Sequence, residues 1–280
     1  MKRFQRIVFD NGEQLVKVVN SSINYSNPPI PDGYIYILGE WHNGFVIQRV
    51  SDGSEFVWVP VGRLEPEGLL AGSFSQAFGR RNFEKNVRFF EFDEPLEGEL
   101  LDQLESVEKY GGFYISRYNI SKGLDGKPHS VQSNLPWTDI SFYEAKRIAA
   151  TIENNEEVKS HLTFGSEYDS VLEWFIESGS KTLDEIANDS TSWGNYLNAE
   201  GASTDVAETG SSKKWCANNI YDFAGNVSEW TQENGKDSKR VIRGGYCLVN
   251  GHESPVAIRI SDAPHETYFC NSFRVALCIK

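Results

Sequence analysis

Apolar positions change their period along this chain, and each change marks a different kind of element. Over residues 4–19 they alternate loosely: Phe4, Ile7 and Phe9, then Leu15, Val16, Val18 and Val19. Asn11-Gly12 separates the two runs, and because this pair tolerates positive φ the spacing predicts a hairpin. Residues 20–32 cluster Asn, Ser and Pro and read as a linker. The chain thus divides into an N-terminal β-element, residues 1–28, suited to attachment or assembly, and a main domain over 29–280.

Three short runs rich in aromatic and β-branched residues, 34–38, 44–50 and 55–59, predict strands. Residues 62–95 have no clean period and read as irregular. Beyond them Leu96, Leu100, Leu101, Leu104 and Val107 form an amphipathic stripe that Gly111-Gly112 can end. Ser141 and Glu144 make a capping box, with Ala145, Ile148, Ala149 and Ile152 on one face behind it. A third helix opens near Ser166, turns Tyr168, Val171, Leu172, Phe175 and Ile176 inward, and stops at Gly179. Thr182 with Glu185 caps a further short helix. From residue 190 onward the helical period disappears, and 240–243 and 273–279 read as strands between long polar connections. The sum is an α+β domain, loop-rich, with few helices and short strands.

Charge narrows the function. Lys plus Arg number 27 against 40 Asp plus Glu, a formal net charge of −13. A surface of this sign repels phosphate backbones and no basic run offsets it, so nucleic acid is not an expected partner. No apolar run approaches the ~18 residues of a membrane span. The first residues carry charge without the apolar core of a signal peptide. GxSxG, HExxH and a phosphate-cradling GxxxxGK are all absent. The five histidines, His42, His129, His161, His252 and His265, are too scattered for a local metal cage, and four cysteines without a CxxC do not make a disulfide scaffold.

Five segments, in order, then carry a resemblance. They are Phe56-Val-Trp-Val-Pro60, Gly112-Phe-Tyr-Ile-Ser-Arg-Tyr118, Pro136-Trp-Thr-Asp-Ile-Ser-Phe-Tyr-Glu-Ala145, Asn219-Ile-Tyr-Asp-Phe-Ala-Gly-Asn-Val-Ser-Glu-Trp230, and Val241-Ile-Arg-Gly-Gly245 with Ser272-Phe-Arg-Val-Ala276. Over residues 31–280 the chain resembles the formylglycine-generating-enzyme (sulfatase-modifying factor) superfamily. That resemblance implies a C-type-lectin-like fold with a loop-rich exposed surface near the C-terminus. Some members bind calcium at the place matched by residues 222–229. The resemblance there implies carboxylate ligands from Asp222 and Glu229, with the Gly225 and Val227 carbonyls between them, the oxygens a hard cation takes. The same residues also read as a Gly-Asn turn before a buried tryptophan, so calcium is an option and no cofactor is required.

The family's oxidases place two cysteines after the RGG motif, in the pattern RGGSxxCxxxxC, where a copper-binding thiolate pair activates oxygen. Those positions fall here on Val249 and Ser254. Cys247 is two residues early, and the next cysteine is Cys270. A catalytic role is therefore not expected. A formylglycine-generating or related copper-dependent oxidase, its thiols relocated to Cys247 and Cys270, stays as the alternative.

A narrower resemblance is to the variable proteins of diversity-generating retroelements, in which a reverse transcriptase rewrites adenines in the codons of a binding face. Residues 246–271 match their layout: RGG before, fixed Gly, Pro and Arg within, SFR after. Trp, Met, Lys and Gln, which adenine changes in an asparagine codon cannot reach, are missing from this stretch, although Glu253 and Glu266 do not fit that origin. The resemblance implies a non-catalytic binding protein on a virion (phage tail) or cell surface, whose C-terminal face meets a protein or cell-surface receptor. Tyr246, His252, His265, Tyr268 and Phe269 would supply rigid aromatic contact, and Glu253 and Asp262 polar selectivity. Val249, Ile258 and Ile260 would add apolar area, with Cys247 an exposed thiol among them. Ile258 and Ile260 flank Arg259 with period 2 and so equally suit an inward face. The N-terminal segment would mediate homo-oligomer formation or virion attachment.

Overall fold

A computed structural model describes residues 3–8, 14–19, 28–61, 94 and 98–280. At the N-terminus β1 (Arg3–Val8) pairs antiparallel with β2 (Gln14–Val19), Val8 opposite Gln14, as the hairpin pattern predicts. The Asn11-Gly12 turn, residues 20–27 of the linker, Leu96 and, apart from Glu94, the irregular stretch 62–95 lie outside the described residues.

In chain order the main domain runs β3 (Tyr34–Leu38), β4 (Val46–Arg49), β5 (Glu55–Pro60), α1 (Glu99–Tyr110), β6 (Gly112–Ser116), β7 (Ser121–Lys122), β8 (Pro128–His129), α2 (Phe142–Ala149) and β9 (Val158–Leu162). It continues with α3 (Gly165–Glu177), α4 (Leu183–Ala187), β10 (Cys216–Ala217), β11 (Ile220–Tyr221), β12 (Ser228–Asn234), β13 (Arg240–Arg243), β14 (Ile260–Asp262), β15 (Asn271–Phe273) and β16 (Val275–Ile279). Beyond residue 190 the described helical turns are all short 3₁₀ ones, in keeping with the lost period.

Two sheets organise the domain. One has the strand order β3-β4-β5-β6-β16-β9, the other β14-β13-β12-β15. The run expected as one strand over 273–279 is broken at Arg274, where the chain passes from the smaller sheet into the larger. β5 is an unbroken apolar run because the larger sheet is covered on both faces. Phe56 and Trp58 pack with Tyr34 and Tyr114 on one side, while Val57 and Val59 pack with Phe113, Ile115 and the helices α1 and α3 on the other.

Helix ends follow local chemistry. Gly111 takes the left-handed conformation (φ 85°) and returns its N–H to the Val107 carbonyl, ending α1 over buried Leu100, Leu104 and Val107. The predicted box at α2 is formed: Ser141 Oγ accepts the Glu144 N–H (3.3 Å) and Glu144 Oε2 accepts the Ser141 N–H (3.2 Å). α3 lacks a side-chain cap of its own at Phe164. Instead the Glu94 carboxylate accepts the Gly165 and Ser166 N–H groups (2.6 and 3.0 Å), placing negative charge at the positive helix end. Among the described residues no helix is long and apolar enough to cross a membrane.

Candidate functional site

The C-terminal segment leaves β13 through Arg243-Gly-Gly245. Gly244 and Gly245 both have positive φ (95° and 71°), and a Cβ on Gly245 would lie 2.7 Å from the Ser254 carbonyl oxygen, so only glycine fits this turn. The arginine beside it is sealed in the interior. Arg243 bonds Asp169 of α3 (2.9 Å) and Glu233 of β12 (3.4 Å), and Arg259 bonds the same two carboxylates (2.5 and 2.8 Å). Two guanidiniums and two carboxylates thus close a ring of matched charge whose four side chains are all fully buried. Desolvating four ions is costly, and this mutual pairing is what makes it tolerable. The Arg243 guanidinium also lies 4.4 Å from the Tyr168 ring centroid.

At the far end Arg274 does the same work. It bonds Glu229 (2.6 Å), the Ser116 and Arg117 carbonyls (3.1 and 3.2 Å) and the Tyr221 carbonyl. Glu229 pairs antiparallel with Arg243 and parallel with Ser272, so one strand, β12, fixes both ends of the segment.

Between those anchors the expected contact residues separate. His252, Glu253, Ile260, His265, Tyr268 and Phe269 are exposed, whereas Tyr246, Val249, Ile258 and Asp262 are half-buried, Val249 against the main core. Leu248 is exposed as well; the sequence reading misses it because it sits in a run of aliphatics. The first stretch rests on the 190s: Leu197 N–H donates to the Val249 carbonyl (2.9 Å) and Ser190 N–H to that of Gly251 (3.1 Å). The second rests on the approach to α2, with Asp139 N–H on the Tyr268 carbonyl and Phe142 N–H on the Pro264 carbonyl, both 3.1 Å. The two stretches are thereby presented by different parts of the scaffold.

Cys247 corrects an expectation. The thiol is buried, not exposed, because the glycine turn folds its residue inward and its N–H reaches the Asn226 carbonyl (3.2 Å). Cys270 is buried too, with its carbonyl on the Ser228 N–H (2.7 Å). Burial raises both thiols; Cys270 is pushed up to about 11, with the neighbouring Cys247 adding to the effect.

The four residues matched to a calcium loop are all buried, and one of them, Glu229, pairs with Arg274. Glu229 Oε1 is taken by Arg274 and by Asn119 Nδ2 (2.8 Å), and Asp222 Oδ2 accepts the Gly210 N–H (2.7 Å). The Gly225 carbonyl accepts the Val227 N–H (2.8 Å). Asp222 Oδ1 and Glu229 Oε2 are buried without partners, and burial pushes the Asp222 carboxyl up to about 6. The Arg274 guanidinium supplies the positive charge that Glu229 faces through Oε1.

Two sheets joined at one arginine, with a long C-terminal excursion held by buried ion pairs, define an α+β domain of the C-type-lectin-like kind. Residues 107–279 match the sulfatase-modifying factor enzyme 1-like (FGE-sulfatase) domain, and the chain belongs to that family. No curated protein matches it. Among solved structures, PvdO from Pseudomonas aeruginosa is 17% identical with a TM-score of 0.50, covering 83% of this chain and 97% of that one. Variable protein 1 of Treponema denticola is 16% identical with a TM-score of 0.42, covering 60% and 85%. CarF is 17% identical with a TM-score of 0.41, covering 60% and 87%. At 17% identity the likeness to PvdO is one of fold alone.

Proposed function

We propose that the protein is a non-catalytic binding protein of the retroelement variable type, and that residues 246–271 form its contact face for a protein or cell-surface receptor. One observation carries this reading. Exposed polar groups of the segment bond largely to their own neighbours within it: Glu253 with Asn250 (3.2 Å), His265 with Glu266 (3.4 Å), Tyr268 with Asp262, although Asn250 also accepts from Asn198 outside it (2.7 Å). The fold is held instead by Arg243, Arg259 and Arg274. Outer positions can therefore be exchanged without disturbing the scaffold, which a diversified face requires. Leu248, Ile260, Tyr268 and Phe269 add exposed apolar side chains to the segment. In this reading the protein works at a virion or cell surface, the N-terminal hairpin serves attachment or self-association, and binding needs no metal.

Sequencing the flanking DNA tests the reading. A near-copy of codons 246–280, differing mainly at adenines and lying beside a reverse transcriptase gene, is the expected result, and its absence overturns diversification. Incubation with copper and a CxPxR peptide tests the non-catalytic part. No formylglycine is expected; its formation, lost in Cys247→Ser, would replace this reading with an oxidase.

A further inference from the structure

A cavity of about 440 Å³ opens between the β7–β8 hairpin, the loop carrying Trp137, and the flank of α2. This is the size range of small-molecule sites. Trp137 is fixed in place: its backbone N–H donates to the Ile120 carbonyl (2.7 Å), and its half-buried ring packs against the core under α2. Lys122 holds its Nζ 5.0 Å from the centroid of that ring. Lys127 and Arg147 also line the cavity, facing Asp139 and Glu144. Glu144 is committed to capping α2 through Ser141. In a chain with 13 excess negative charges, three cations therefore line one cavity with Trp137, Lys122 over the ring itself, against the two carboxylates Asp139 and Glu144.

We propose that this cavity is a second binding site, for an acidic sugar. A pyranose ring lays its C–H face on the Trp137 indole, from which the exposed Lys122 side chain swings to the sugar's carboxylate alongside Lys127 and Arg147, and Asp139 accepts from its hydroxyls. A neutral sugar engages only the ring and the acceptor. A free phosphate engages only the cations. The combination selects a ligand that carries both. No lining residue belongs to 246–271, although the backbone bonds from Asp139 and Phe142 to that segment put the cavity at its edge. The site is thus built from scaffold residues and stays constant whatever the outer face becomes.

The test titrates the full chain with 3′-sialyllactose, lactose and inorganic phosphate, followed by ligand-observed NMR. Saturable binding of sialyllactose is expected, with lactose and phosphate weaker by about tenfold or more. Trp137→Ala should abolish binding. Because that ring packs on the core, the double variant Lys127→Ala, Arg147→Ala, altered only at exposed positions, provides the independent check and should weaken sialyllactose by about tenfold at unchanged melting temperature. Tyr268→Ala should leave sialyllactose binding intact, which separates this site from the contact face. Absent sialyllactose binding, equal binding of lactose or phosphate, or undiminished binding by the double variant overturns the proposal.

Discussion

Arg259 and Tyr268 belong to the same C-terminal segment, yet they answer to different neighbours. Arg259 lies in a closed ring with Asp169, Glu233 and Arg243, out of reach of water. Tyr268 stands in an exposed run, 265–269, whose side chains meet solvent and one another. The difference separates two jobs that most binding loops must combine. Rigidity comes from buried ions set by three distant elements, and contact chemistry comes from side chains that carry no part of that load. Recognition can therefore change while stability stays where it is.

The severest challenge to this division of labour is Arg259→Ala, which leaves Asp169 and Glu233 facing one guanidinium in place of two. A loss of about 3–5 kcal/mol in denaturant unfolding is expected; a loss of the size seen at exposed positions would show that the ring is not the anchor. Next comes pH. The Asp222 carboxyl has a folded value raised to about 6, so the folded state keeps this proton where the unfolded chain has released it. That contribution is full in acid and is lost as pH rises from the usual carboxylate range through about 6, amounting to about 3 kcal/mol. Asp222→Asn, which tolerates the local φ of 54°, should flatten this part of the pH–stability curve. Ser141→Ala removes the cap of the helix that supports Pro264 and should cost about 1 kcal/mol in thermal melts. The smallest effect is predicted for Tyr268→Ala and Phe269→Ala, each within about 0.5 kcal/mol of the parent in stability. A receptor, once found, should lose about 2 kcal/mol or more of binding to the pair.

The helices are legible in the sequence because their signals are local. The boxes at Ser141 and Thr182 and the stop at Gly111 each need only a few adjacent residues, and all three are formed. The β15–β16 break is not legible, since what divides 273–279 is the set of Arg274 bonds to Ser116, Arg117, Tyr221 and Glu229, far off in sequence. The same holds for the contact segment. Its limits can be read from RGG and SFR, but the inward turn of Cys247 depends on the Asn226 carbonyl, and the role of Arg259 depends on Asp169 in α3. Period 2 around Arg259 suits an inward face for Ile258 and Ile260, and the structure reverses it: Arg259 is the buried residue, drawn in by its two carboxylates, while Ile258 is half-buried and Ile260 exposed.

Glu229 has Arg243 on one side and Ser272 on the other. Two strand spacings put those partners about 10 Å apart. A free chain of the intervening length would hold its ends about 29 Å apart on average. The closure entropy of the whole excursion is therefore met once, by the smaller sheet, and grows only logarithmically with added residues. Such closure confers tolerance of length as well as of composition: insertions near residues 265–269 should be accepted, and the excursion can be treated as a cassette, transplantable between chains that keep its three arginines and their carboxylates.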